Sequence, residues 1–169
     1  MTVFKRLVLL LFVSTLIGAC YQSGSDDADQ SINVDDTASL AGTYDLVSIT
    51  SKSDEIWGIG TVIVAGQTNT FEVPFDGGSL PVTLQISGTV TFTATGFSTN
   101  FPNTISLFGE TQSEVTQESG SYSVSNSKMT TVSDDPEDRF IGSSTFGLSA
   151  SGKDLTLDDS IATLLLRKR

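Results

Sequence analysis

Histidine is absent from the 169-residue chain, and cysteine occurs once, at Cys20. Without histidine there is no imidazole to act as general base, triad partner or metal ligand near neutral pH. One cysteine forms no internal disulfide and no thiolate zinc cluster. Basic residues are scarce too: nine Lys and Arg stand against twenty Asp and Glu, a formal charge of −11. That balance speaks against nucleic acid as a partner, because phosphates call for a basic surface. Tryptophan appears once, as Trp57, and proline four times. Hydrophobic residues make up 38% of the chain and charged ones 17%, which is too apolar for a wholly disordered acidic polymer. The length predicts one folded domain.

What is present begins with a targeting segment over residues 1–19. Lys5 and Arg6 give it a positive start, and Leu7 to Leu16 an apolar core broken only by Ser14 and Thr15. The core falls short of the ~20 residues of a comfortable transmembrane helix. Leu16-Ile17-Gly18-Ala19-Cys20 resembles the bacterial lipobox. The resemblance implies cleavage before Cys20, diacylglycerol on its thiol and a further fatty acyl group, such as palmitate, on its amine. An ordinary signal peptide or an uncleaved anchor is the alternative. More than one acyl chain holds a protein stably on a membrane. Tyr21 stands where Asp retains many lipoproteins at the inner membrane, so the resemblance implies the outer membrane, with the leaflet left open. Removing residues 1–19 takes away two basic residues and no acidic one, so the remaining charge is −13.

Residues 21–40 are rich in Asp, Ser and Gly and carry no basic residue. They predict a flexible acidic spacer reaching ~25 Å by random-coil scaling. Asp27 and Asp29 lack the glycine turn and distal glutamate of a calcium loop.

From residue 41 onward the dominant period is two. Between Leu80 and Thr95, Leu80, Val82, Leu84, Ile86, Gly88, Val90, Phe92 and Ala94 fall on one face, with Thr, Gln and Ser on the other. One wet and one buried face is the signature of an antiparallel sheet. A hairpin turn at Ser87-Gly88 would pair Ile86 with Thr89, apolar with polar, whereas a bend at Gly88 keeps the alternation in phase. The bend is therefore expected. Asn126-Ser127 as a two-residue turn pairs Val124 with Met129 inside. Gly152-Lys153 as a turn pairs Leu148 with Leu157. Further strands are expected near 43–51, 60–66, 70–75, 105–117, 139–150 and 161–167. The prediction is an all-β, up-and-down antiparallel barrel of about eight to ten strands over 41–169, since closure removes exposed edges.

Three stretches resemble bacterial lipocalin-like lipoproteins. Gly42-Thr43-Tyr44 looks like the opening strand, with Tyr in place of the family's Trp. Residues 120–130 look like a later hairpin. Leu155-Thr156-Leu157 and Leu164 to Lys168 look like the last two strands. The family's second motif, Thr-Asp-Tyr, has no counterpart. The resemblance implies a barrel closed at its floor by Tyr44 and Arg167, the cation over the ring. A last loop of Asp158-Asp159-Ser160 would turn Arg167 inward, and one residue more would turn it outward.

Phe71, Val73, Phe75, Val90, Phe92, Phe108, Phe146 and Leu148 are the candidate lining of a barrel that either fills itself or holds one small hydrophobic molecule. Ile56, Trp57 and Ile59 stand out as apolar residues in a turn-like stretch after the first strand. Gly96 to Asn103 reads as a second aromatic loop, with Phe97 and Phe101. Either loop would serve as lid, membrane-dipping tip, plug or contact for another envelope protein. Asp134 to Arg139 is an acidic turn without a calcium ligand pattern. No nucleophile has a visible base and no carboxylate pair is placed, so no enzyme, cofactor or metal site is expected. Two functions remain: binding of a small hydrophobic ligand at the envelope, or a protein–protein module. Substituting Cys20→Ser should leave the precursor unprocessed and unlipidated, read as the intact-chain mass and the loss of the lipid increment.

Overall fold

The computed structural model describes residues 40–53, 58, 60–75, 78–135, 142–149 and 151–169. Cys20, the leader, the spacer to residue 39, Trp57 with Ile56 and Ile59, and residues 136–141 lie outside them. Eleven strands form: β1 (Gly42–Ser51), β2 (Val62–Val64), β3 (Thr68–Phe75), β4 (Gly78–Ile86), β5 (Thr89–Phe92), β6 (Gly96–Leu107), β7 (Glu110–Ser125), β8 (Lys128–Ser133), β9 (Ser143–Leu148), β10 (Asp154–Asp158) and β11 (Ala162–Lys168). From β6 to β11 each strand pairs with the next. β11 returns to β1, and β5 joins β1 to β6. The result is a closed antiparallel eight-stranded barrel, β1-β11-β10-β9-β8-β7-β6-β5, with β2, β3 and β4 added to it.

The added strands follow from the bend. β4 and β5 keep one register along β6, with Ile86 opposite Asn103 and Thr89 opposite Asn100. They are one ribbon interrupted at Ser87-Gly88, as the alternation predicts. Gly88 has φ of +138°, and a Cβ there would lie 2.1 Å from the Asn100 carbonyl oxygen. Opposite the bend is Pro102. Ser87 N–H donates to the Pro102 carbonyl at 3.1 Å, but proline has no N–H to return. The ladder therefore weakens at the level where the chain turns. On the other side the two halves part company: β5 pairs with β1, while β4 pairs with β3. β1 answers with a register shift between Leu46 and Ser48 and then takes β2 as partner. Asn69 ties the inserted strands together, accepting from Val64 N–H at 2.9 Å and donating to the Val64 and Leu84 carbonyls at 3.1 and 3.3 Å.

Alternation decides which side is wet. Tyr44, Leu46, Val90, Phe92, Met129, Leu155, Leu157 and Leu166 turn inward and are buried. Thr43, Thr91, Thr104, Ser106, Thr111 and Ser113 turn outward, several bonded hydroxyl to hydroxyl across strands. Each large apolar side chain buried this way contributes about 1.5–3 kcal/mol.

Five expectations need correction. The Asn126-Ser127 turn forms as expected, with φ of 50° and 60°. The next hairpin pairs Leu148 with Leu155, two residues off the expected register. Ser149 and Asp154 close it, with Asp154 N–H donating to Ser149 Oγ at 3.0 Å. A shift of two preserves faces, so the leucines stay inside. In the last hairpin Leu157 pairs with Leu164 rather than Ile161. Asp159 Oδ1 accepts from the Ile161 and Ala162 amides at 2.7 Å each, which lengthens the loop. This odd shift reverses the faces: Leu164 and Leu166 point in and Arg167 points out. The aromatic loop Gly96 to Asn103 is the first half of β6, with Phe97 and Phe101 buried. The strand expected over 105–117 is a hairpin turning at Phe108-Gly109. Leu40, placed at the end of the spacer, is wholly buried and belongs to the core.

Gly88→Ala should cost about 3 kcal/mol or more, since its Cβ meets backbone and its φ is unsuited to alanine. Gly66→Ala, with φ of +75° and nothing within 4 Å, should cost about 1–2 kcal/mol. Denaturant midpoints of the two variants check the ordering.

Candidate functional site

One end of the barrel is filled by aromatic rings. Tyr44 on β1 meets Phe92 on β5 edge-on, with centroids 5.9 Å apart at 79°. Phe92 meets Tyr122 on β7 at 5.2 Å and 72°. Such edge-to-face pairs add about 0.5–1.5 kcal/mol beyond their burial. Both phenols are matched: Tyr44 donates to the Leu40 carbonyl at 3.0 Å and Tyr122 to the Thr93 carbonyl at 2.8 Å. The cation over the Tyr44 ring is Lys168, its Nζ 5.6 Å from the centroid. Arg167 instead lies outside, its side chain 59% exposed and bonded to Asp154 at 2.7 Å. The reversed register of β11 is the reason.

Elsewhere in the interior the buried polar side chains are unevenly spread, although β6 and β8 also bury Phe101, Ile105, Leu107 and Met129. Strands β1, β5, β10 and β11 present Leu46, Val90, Leu157 and Leu164. Strands β6 to β9 present nearly all the buried polar side chains: Thr99, Asn103, Glu118, Thr131 and Ser144, each less than 9% exposed. Register explains the grouping. Thr99 and Glu118 are direct partners, and Met129 faces Ser144. The Thr99 hydroxyl accepts from the Glu118 amide at 3.1 Å. Asn103 donates to the Thr116 hydroxyl at 3.4 Å. Ser144 Oγ is buried without a hydrogen-bond partner among the described residues. Leaving a buried polar group unmatched costs about 1–3 kcal/mol.

The candidate lining residues separate into groups. Val73 and Val90 are buried, and Phe71, Phe146 and Leu148 are half-buried against the core. Phe92 belongs to the floor rather than to a wall. Phe108 is a correction: it sits at the β6–β7 turn with φ of 54° and 42% exposure, outside the barrel. Phe75 ends β3 opposite Gly78, and its side chain lies outside the described residues, as does Trp57. The inward polar side chains were missed by sequence reasoning. Counting back in twos from Val124, which was placed inside, reaches Tyr122, Gly120 and Glu118.

Charge at the rim is paired outside. Arg169 donates two bonds to Asp45, at 2.9 and 2.7 Å, and holds that carboxyl below its ordinary range. Asp158 is pushed up by partial burial, but the opposing bonds from Lys52 and Thr163 prevail and leave it below its ordinary value. No group of three or more metal-ligating side chains gathers among the described residues. Asp134 bonds to Ser119 at 2.7 Å; the rest of the acidic turn from Pro136 lies outside them. Compared with known proteins, the chain matches no family model, no curated protein and no solved structure.

Burial raises both floor phenols above their usual value of about 10, with Tyr122 adding to the effect at Tyr44. A raised folded pKa means this contribution is complete below pH about 10 and is lost as pH climbs through the folded value. Tyrosinate absorbance should show two of the three tyrosines titrating late, with loss of the fold accompanying them.

Proposed function

We propose that this chain is a lipoprotein of the bacterial outer membrane, held by lipid on Cys20, whose barrel takes up a small hydrophobic ligand without catalysing a reaction. One observation carries the reading: an interior sealed at one end by an aromatic floor, with most of its buried polar side chains gathered on β6 to β9 among apolar ones. A barrel filled only to be stable gains nothing from burying Ser144 unmatched. A ligand that enters gains from both kinds of side chain. Phe71 and Phe146 are the half-buried aromatics nearest this role, and Trp57 is retained as a mouth residue on the sequence reading.

The outer surface supports attachment through lipid rather than through the barrel. Membrane-spanning barrels turn apolar side chains outward. This barrel turns threonine, serine and acids outward, so it is coated by water.

A second reading is favoured by one feature. Val115 and Val132, on the outer faces of β7 and β8, are 57% and 62% exposed. They would suit contact with another envelope protein. Native mass spectrometry of the membrane-extracted chain separates the readings. The expected result is a diacylglycerol-plus-acyl increment on the N-terminal fragment and a co-purifying small molecule. An unmodified Cys20 overturns the anchoring. A lipidated chain with no small molecule, which also takes up none from added apolar probes, overturns the ligand reading and leaves the partner reading.

A further inference from the structure

Basic side chains are the scarcer charge in this chain, and the fold gathers them at one end. Of the six among the described residues, five stand at the floor: Lys128, Lys153, Arg167, Lys168 and Arg169. The pairings place them. Lys168 is opposite Tyr44, its Nζ over that ring, and Arg167 precedes it on β11. The Lys168 amide donates at 2.7 Å to the carbonyl of Lys153, in the turn between β9 and β10. The Arg169 amide donates to the Thr43 carbonyl at 3.0 Å. Lys128 opens β8 just after the Asn126-Ser127 turn, which follows the floor ring Tyr122 on β7. The sixth, Lys52, follows the far end of β1.

Acid is sparse at this rim. Among the described residues Asp45 and Asp154 stand beside it, and Arg169 and Arg167 hold them in ion pairs at 2.7 Å each. Glu110 opens β7, Asp134 follows β8 and Asp158 ends β10, all toward the mouth. Lys128 and Lys153 are exposed and have no ion pair among the described residues. With Lys168 they are the surplus charge of this end. They lie on β8, on the β9–β10 turn and on β11, spread along the rim rather than gathered to a point.

The chain enters the fold at the same end. Leu40 is buried there and its carbonyl accepts the Tyr44 hydroxyl. Residues 21–39 therefore join Cys20 to the floor and not to the mouth. An anionic surface attracts the lysine rim and repels the acidic end, so it gives the barrel a direction. The attraction acts within a Debye length, about 8–10 Å, which lies inside the reach of the tether.

We propose that the rim of Lys128, Lys153 and Lys168 rests on the anionic phospholipid head groups of the membrane that holds Cys20, and that the barrel stands floor down with its mouth toward water. This rests on the reading that Cys20 carries lipid and is independent of any ligand. The lipid attaches the domain, and the rim orients it.

The test uses the full lipidated chain in vesicles of phosphatidylcholine alone or mixed with phosphatidylglycerol, each containing a lipid with a nitroxide head group. A fluorophore is placed on Ser125→Cys near the floor or on Thr111→Cys near the mouth; Cys20 is blocked by its lipid. The Ser125 label should be quenched on the mixed vesicles, and much less on phosphatidylcholine alone or in high salt. The Thr111 label should stay bright on both. Each of Lys128→Gln and Lys153→Gln should lower the ratio of docked to undocked barrel about fivefold. Both positions are exposed, and circular dichroism checks that the variants fold. Equal Ser125 quenching on the two vesicle types overturns the proposal, as does equal quenching of the two labels. A folded double variant that docks like the wild type also overturns it. If docking on the mixed vesicles appears only after Asp35→Asn and Asp36→Asn, the spacer is what occupies the rim and the proposal fails. The intact mass of the same sample separates the two readings: without a lipid increment the anchoring fails and the orientation falls with it.

Discussion

The pairing of β5 with β1 is the constraint on which the rest of the molecule depends. Four residue pairs, from Gly42 with Phe92 to Asp45 with Thr89, turn a sheet into a ring. Without them β1 would present an unpaired row of amides along its first half, an edge open to association. Closure also sets what can be inside. Tyr44 and Phe92 come from the two strands of that seam, so the floor forms only when the ring is shut. Lys168, brought to the Tyr44 ring by the β1–β11 ladder, covers the floor from below. The bend at Gly88 makes closure and enlargement compatible. Below it the ribbon serves β1, and above it the same ribbon serves β3, leaving β1 and β6 free to diverge.

Divergence has an energetic consequence for the interior. In the narrow part, rings and leucines meet across the barrel and hydrocarbon satisfies hydrocarbon. Inward positions on β6 to β9 carry hydroxyls, an amide and a carboxyl beside Phe101, Ile105, Leu107 and Met129. Some of that polarity is matched locally, as where the Thr99 hydroxyl accepts from the Glu118 amide. Local matching of this kind lets a strand bury a polar side chain at little cost. Ser144 Oγ is buried with no such match among the described residues.

Much of the fold was legible from period two alone. Alternation over Leu80 to Thr95 placed the faces and argued for a bend over a turn, and the common register of β4 and β5 on β6 follows the same logic. The Asn126-Ser127 hairpin was legible because two residues of that type accept positive φ. What failed were lengths of loops set by side chains rather than by glycine. Asp159, bonding two successive amides, lengthened the last loop, moved the partner of Leu157 from Ile161 to Leu164 and exchanged Arg167 for Lys168 at the floor. The Gly96 to Asn103 segment was misread because Pro102 and Asn103 look like turn residues, although the proline falls at the one rung where a missing N–H is tolerated. The inward polar side chains went unseen because Glu118 reads as surface in any sequence. Only the strand's continuation from Val124 reveals its direction. Phe108 failed the other way, being apolar in sequence but placed at a turn by Gly109 behind it.

Inside and outside are reversed relative to a barrel that lives in lipid, and this bears on how the parts divide their work. Hydroxyl pairs such as Thr104 with Ser113 and Ser106 with Thr111, each at 2.8 Å, cover the outer face where a membrane barrel would carry an apolar band. Burying that face in hydrocarbon would strip water from every rung. The ion pairs Arg169 with Asp45 and Lys52 with Asp158 point the same way, since exposed pairs of this kind contribute about 0–1 kcal/mol and are at home in water. These outward contacts are of a kind that water accommodates. On the lipoprotein reading, attachment lies entirely in the segment before Leu40, and a change in the leader or at Cys20 would move the domain to another place without altering its interior. Placement and interior chemistry are then set by separate parts of the chain. The described fold begins at Leu40, which is wholly buried and whose carbonyl accepts the Tyr44 hydroxyl.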